Sequence, residues 1–196
     1  MIETVLTRRF PAPPFRLGEA MRYAGCPGDA RFASEIEDVL EEMGPALRYD
    51  VCYREFPFRK VGDTLDLGFC RVESDSLSDR LAGCGRILLF AATVGLAPDR
   101  TSAKYGRISP VRALFAEAVG DERIESLCDQ FCETFSVEQG LTLRSRFSPG
   151  YGDLPLSVQI DIFRYLDCPR RIGLTLTDAL TMSPVKSVTA IAGVME

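Results

Sequence analysis

Arg86-Ile87-Leu88-Leu89-Phe90-Ala91-Ala92-Thr93-Val94 is the stretch on which the fold turns. It is apolar almost throughout and stands between Gly85 and Gly95. A short run without polar alternation reads as a strand buried on both faces. Upstream, residues 50–60 (DVCYREFPFRK) read as a strand, and Val61-Gly62-Asp63 turns the chain into a second one, TLDLG, as a hairpin. Before these come an extended segment with Pro11, Pro13 and Pro14, a helix over 17–23 and a turn at Gly25-Cys26-Pro27-Gly28. An amphipathic helix over 29–47 follows, with Phe32, Ile36, Val39 and Leu40 on one stripe, and ends at Gly44-Pro45. Downstream, the pattern predicts a short helix over 77–81 and helices over 110–119 and 121–138. It then gives a strand over 141–146, a helix over 156–166 and closing strands near 173–175, 179–182 and 187–194. The order lacks regular strand–helix–strand alternation. A single α+β domain over 1–196 is expected, with helices and hairpin in 1–80 and a mostly antiparallel sheet flanked by helices.

Composition narrows the chemistry. The 196 residues are 46% hydrophobic and 26% charged, as in ordinary globular proteins. The formal net charge of −5 argues against a nucleic-acid binder, which needs cations to displace counterions from phosphates. The chain has no histidine, which removes imidazole acid–base catalysis, the usual zinc and haem ligation and every Ser-His or Cys-His nucleophile. Seven scattered cysteines, without a C-x-x-C pair, read as free thiols in a reducing compartment. The opening MIETVLTRRFPAPPF has no apolar core of a signal peptide, and the longest apolar run, residues 87–92, is too short to span a bilayer. A soluble cytoplasmic protein is expected, with no membrane or nucleic-acid partner.

The strand over 141–146 feeds the most unusual string of the chain, Arg146-Phe147-Ser148-Pro149-Gly150-Tyr151-Gly152-Asp153. Pro149, Gly150 and Gly152 permit a tight turn and close backbone approach to a ligand. Arg146 offers a planar fork of donors for a carboxylate. Tyr151 offers a flat ring and a hydroxyl, and Ser148 adds polar contacts. The competing reading is a plain strand-to-helix turn in which Asp153 caps a helix.

Beyond this string, RFSPGYGDLPLSVQIDIF (residues 146–163) and IGLTLTDALTMSPVKSVTAIAG (residues 172–193) resemble the activation domain of cobalamin-dependent methionine synthase, and more closely its stand-alone bacterial forms. The resemblance extends upstream through LLFAATVG and RALFAEAVGDERIESLCDQF and covers roughly residues 80–194. It implies a curved, mostly antiparallel sheet that binds S-adenosylmethionine on its concave side. It places Arg146 against the ligand carboxylate, Ser148 along its adenosyl part, Tyr151 beside it and Glu125 near its amino group, and counts Gly150 among the binding residues. A carboxylate and an Arg are the pairing expected for an amino-acid zwitterion. Two ligand contacts of that family, an N-terminal Asp and a Tyr beyond the closing strand, have no counterpart here. Their loss is expected to weaken binding about 10- to 1000-fold.

The function implied is a reactivation module rather than an autonomous enzyme. It would act in trans on a cobalamin-dependent methionine synthase, where S-adenosylmethionine and a flavodoxin-like electron donor return cob(II)alamin to methylcobalamin. The cofactors carry that chemistry, consistent with a chain without histidine. A different corrinoid methyltransferase as client, or an interaction protein that has lost the ligand, are the other expectations. Elsewhere, Cys128 and Cys132 stand at i,i+4 as core residues or half of a metal pair. The acids Glu35, Glu37, Asp38, Glu41 and Glu42 form a solvated face or a docking face, and Lys186 lies near the ligand or on the surface.

Overall fold

A computed structural model describes residues 1–195. In chain order the elements are β1 (Leu6–Arg9), α1 (Leu17–Tyr23), α2 (Ala30–Met43), β2 (Asp50–Pro57), β3 (Arg59–Val61), β4 (Thr64–Asp66), β5 (Arg71–Glu73) and α3 (Asp75–Arg80). Then come β6 (Arg86–Thr93), α4 (Ala97–Tyr105), α5 (Pro110–Gln139), β7 (Thr142–Leu143), α6 (Val158–Leu166), α7 (Cys168–Ile172), β8 (Thr175–Leu176), β9 (Met182–Ser183) and β10 (Ser187–Met195). The main sheet has the order β1-β2-β6-β10-β7 and is antiparallel throughout. It curls, and helices flank it. Strands β3, β4 and β5 form a separate small sheet.

The apolar run of residues 86–94 is the central strand. Ile87, Leu89 and Ala91 pack with Ile162, Leu166 and Cys168 from α6 and α7. Leu88, Phe90 and Ala92 face the other way and pack with Ile124, Leu127 and Phe131 of α5. Strand alternation thus sends each side chain from Ile87 to Ala92 into one of two apolar layers. Phe131 holds the second layer together, with its ring centroid 4.9 Å from that of Phe90 and 5.0 Å from that of Tyr53. Such pairs contribute about 0.5–1.5 kcal/mol beyond the area they bury. A third cluster joins Ile36, Val39 and Met43 of α2 to Phe115, Ala116 and Val119 of α5.

Three sequence expectations need correction. The helices over 110–119 and 121–138 are one helix, α5, which passes through Gly120 without a break. Glycine there serves packing rather than termination: an added Cβ would stand 2.8 Å from Lys186 Cγ and 2.9 Å from Pro98 Cβ. The strand over 141–146 pairs with β10 at residues 142 and 143, adds one bond from the Arg144 N–H to the Gly193 carbonyl, and touches β10 again at the Phe147–Ile191 bridge. The run over 50–60 is two strands in two sheets, divided after Pro57. Helix α4 went unread because its polar sequence carries little periodicity; Ala97, Pro98 and Thr101 are its buried residues. In α2, Glu37, Asp38 and Glu41 are exposed, while Glu42 accepts hydrogen bonds from Lys104 Nζ and Tyr105 Oη at 2.6 Å each.

Candidate functional site

Strand β10 is covered on one edge by β6 along most of its length, but β7 covers its other edge only at Val194 and Met195. Between that short pairing and the start of β10, the loop after β7 swings away from the sheet. A cleft of about 390 Å³ opens there, walled by α5, α6, β10 and residues 146–151. Four of the sequence-predicted residues line it: Arg146, Ser148, Tyr151 and Glu125. Glu125 comes from the middle of α5, 21 residues before Arg146, so folding has assembled the group rather than chain proximity.

The loop owes its shape to local constraints. Phe147 exchanges both backbone hydrogen bonds with Ile191, at 2.8 and 2.9 Å, which pins the loop's entrance to the sheet edge. Gly150 adopts φ +90° and its N–H donates to the Leu154 carbonyl at 2.9 Å, so it shapes the turn without lining the cleft. Asp153 anchors the exit. Its carboxylate accepts from Ser74 Oγ and the Asp75 N–H at 2.6 Å each, and from the Ser76 N–H at 3.2 Å. These bonds hold the Asp153 carboxyl down to about 2. Asp153 does bond helix N–H groups, but those of α3, which lies far upstream, and not of the helix that the loop enters. Gly152 makes the approach possible, since a Cβ there would lie 2.6 Å from Ser76 Oγ.

The charged group at the cleft has three members, of which Arg146 and Glu125 line the wall and Asp129 pairs with Arg146 without lining it. Arg146 donates to Glu125, and to Asp129 Oδ1 at 2.6 Å. Asp129 also accepts from Arg16 at 2.9 Å. Two of the five guanidinium donors of Arg146 thus already serve carboxylates of α5. The trio carries one positive and two negative charges, which suits a ligand with both a cation and an anion better than a bare carboxylate. Aromatic surface comes from Phe147 and from Tyr151, which is 68% exposed at the rim.

Sequence reasoning missed other lining residues: Arg80, Gln159, Met182, Val188 and Thr189. Gln159 had a readable signal, a polar residue in the buried stripe of a helix between Val158 and Ile162. Arg80 had none, because it reaches the site from α3; its guanidinium lies 5.7 Å from the Phe147 ring centroid. Lys186 is neither at the surface nor in the cleft wall. It is 8% exposed and donates to Glu117 and Asp121 at 2.7 Å each, tying β10 to α5. Cys128 and Cys132 pack in or against the aromatic cluster, and burial pushes both thiols up, that of Cys132 to about 11. Among the described residues no group of three or more Cys, Asp or Glu is placed to hold a metal ion. None of the described helices is long and apolar enough to cross a membrane.

A larger cleft of about 560 Å³ lies beside Arg48, Arg100 and Pro184. Its buried polar groups are satisfied within the protein: Asp50 by Arg9 at 2.7 Å, and Thr93 by Ser187 at 2.8 Å. The smaller cleft is the better candidate because two of its buried polar atoms, Gln159 Oε1 and Thr189 Oγ1, have no partner in the protein.

No protein-family model matches the chain, and no curated protein matches it. Thirteen chains of solved structures do. One of them is the MetH reactivation domain bound to AdoHcy, at a TM-score of 0.71 and 14% identity, covering 98% of this chain and 78% of that one. At that identity the likeness establishes the architecture: this chain has the fold of the MetH reactivation domain, a curled antiparallel sheet flanked by helices.

Proposed function

We propose that the cleft between α5, α6 and the open edge of β10 binds S-adenosylmethionine, and that the protein reactivates a corrinoid methyltransferase in trans. The observation that carries this reading is the convergence of Arg146, Ser148 and Tyr151 from one segment with Glu125 from another on one cleft. The fold shared with a domain that binds AdoHcy supports it. The donor set fits the ligand. Glu125 takes the ammonium, Arg146, braced by Asp129, turns part of its fork to the carboxylate, and Tyr151 and Phe147 flank the sulfonium end with π-faces.

S-adenosylmethionine supplies an activated methyl group, whose acceptor is the cobalt of cobalamin held by the partner, a methionine synthase or a related methyltransferase. The chain itself needs no general base for this, and its work is positioning and electrostatics. The Arg146 trio orients the amino-acid end, and the Asp153 anchor keeps the loop in one conformation before the ligand arrives. A flavodoxin-like donor would provide the electron, in the cytoplasm.

Calorimetric titration with S-adenosylmethionine and S-adenosylhomocysteine tests the reading. Saturable binding is expected; absence of heat up to millimolar ligand overturns it. That outcome would favour an interaction protein in which Arg146, already paired with two carboxylates, is only a brace. A repeat with cobalamin-loaded methionine synthase tests the client: methyl transfer dependent on this chain is expected, and none with that enzyme but transfer with another corrinoid methyltransferase would change the client.

A further inference from the structure

The zwitterion contacts leave two polar residues of the cleft without a role. Gln159 on α6 is 5% exposed and Thr189 on β10 is 1% exposed, and both line the cleft. Gln159 Oε1 and Thr189 Oγ1 are buried and have no hydrogen-bond partner in the protein. Buried polar side-chain atoms are nearly always paired, because an unpaired one forfeits its hydration without return. Among the described residues the other such atoms belong to Arg54, Arg112 and Gln130, and none of these lines the cleft. Turning the Gln159 amide over would only exchange an orphan acceptor for an orphan donor.

The backbone adds to the pair. Ile191 and Gly193 direct their peptide groups away from β6, toward Phe147 and Arg144 respectively. In an antiparallel ladder the same direction recurs every second residue. Thr189 therefore turns its N–H and C=O to the same open edge, beyond the last contact that Phe147 makes with β10. One residue thus offers the cleft a backbone donor, a backbone acceptor and a hydroxyl, all uncharged.

We infer that Gln159 and Thr189 are specificity-determining residues that bind the uncharged nucleoside half of the ligand, its ribose hydroxyls and exocyclic amine. This rests on the reading of the cleft as an S-adenosylmethionine site and divides that site in two. The Arg146 trio recognises the amino acid by charge, and Gln159 with Thr189 recognises the nucleoside by neutral hydrogen bonds. A site built to hydrogen-bond a substrate group rejects analogues without it, because its own buried atoms are then left unpaired. The same two residues should be dispensable for folding, since an apolar isostere removes an unpaired atom rather than a bond.

The test titrates the wild type, Gln159→Leu, Thr189→Val and Arg146→Ala with S-adenosylhomocysteine and with 5′-methylthioadenosine, which lacks the amino-acid charges. Thermal melts of each ligand-free protein accompany the titrations. Gln159→Leu and Thr189→Val are expected to weaken both ligands tenfold or more, with Tm unchanged or raised. Arg146→Ala should weaken S-adenosylhomocysteine while sparing 5′-methylthioadenosine. Three outcomes overturn the assignment: wild-type protein that binds S-adenosylhomocysteine but not 5′-methylthioadenosine, variants that bind both ligands unchanged, or a lowered Tm in the ligand-free variants. A wild type that binds neither ligand overturns the ligand-site reading itself and this assignment with it.

Discussion

Helix α5 carries two clusters of opposite charge within two turns of each other, and they are built differently. In the first, Glu122 is fully buried and Arg123 is 2% exposed. Glu122 accepts from Arg123 Nε and Ser126 Oγ at 2.5 Å each and from the Arg16 N–H at 3.2 Å. Arg123 donates onward to the carbonyls of Pro13 and Pro14, at 2.7 and 3.0 Å. In the second, the side chains of Glu125, Asp129 and Arg146 keep exposures of 38%, 46% and 25%. The clusters are neighbours: Glu122 and Ser126 stand at i,i+4, as do Glu125 and Asp129, and the Arg16 guanidinium reaches both, at 3.4 Å from Glu122 and 2.9 Å from Asp129. The first cluster is closed and clamps the Pro-rich N-terminal segment. The second opens on a cleft and keeps donors in hand. Burial and completeness of hydrogen bonding, rather than charge, separate a structural cluster from one that can meet a ligand.

Removing Arg123 should break the closed cluster outright. Arg123→Ala leaves Glu122 buried and short of its partner, at an expected cost of roughly 3–5 kcal/mol. Denaturant unfolding reads this as a lowered midpoint at constant slope, and a loss below about 1 kcal/mol would erase the contrast between the clusters. Arg146→Ala should do the reverse. Its stability cost is expected to stay near or below about 1 kcal/mol. S-adenosylhomocysteine affinity should fall roughly 10- to 100-fold. Equal binding by variant and wild type in calorimetry would reduce the open cluster to a surface ornament.

Gly120→Ala probes the helix between these clusters and the Lys186 tie. Overpacking against Pro98 and Lys186 is expected to cost about 1–3 kcal/mol, partly offset by about 1 kcal/mol of helix propensity. A net gain in stability would show that the side chains over Gly120 yield freely. The smallest effect belongs to pH. The Asp153 carboxyl sits at about 2 in the folded protein against an ordinary 3.8. A depressed pKa contributes stability above the ordinary value and loses it as pH falls through the folded one. Wild type should therefore lose more stability than Asp153→Asn between about pH 4 and pH 2. Parallel melting curves for the two proteins would refute the capping role.

The same contrast explains what could be read in the sequence. The central strand was legible because Ile87 through Ala92 are apolar without interruption and are bounded by Gly85 and Gly95. The loop was legible because Pro149 fixes its own φ while Gly150 and Gly152 allow the positive φ that a tight turn needs. The unity of α5 was not, since a glycine signals a break unless one knows that Pro98 and Lys186 press on it from distant segments. Nor was the pairing of Arg146 with Asp129, which no spacing in the chain announces. Gln159 and Thr189 were legible only as misplaced polarity in apolar elements, and only the three-dimensional arrangement turns that into an orphaned hydrogen bond.

The length of α5 has a dynamic consequence. At 30 residues it is a rod of about 45 Å, and Phe115, Val119, Leu127, Phe131 and Phe135 root it in two of the three apolar clusters. Glu125 and Asp129 sit near its middle, away from either fraying end. This wall of the cleft therefore belongs to the last part of the molecule to open. Amide hydrogens of residues 124–129 should exchange only through global unfolding, while those of the loop at 148–152 exchange by local opening. A ligand here meets one rigid side and one that can breathe, so binding should slow exchange in the loop far more than in the helix.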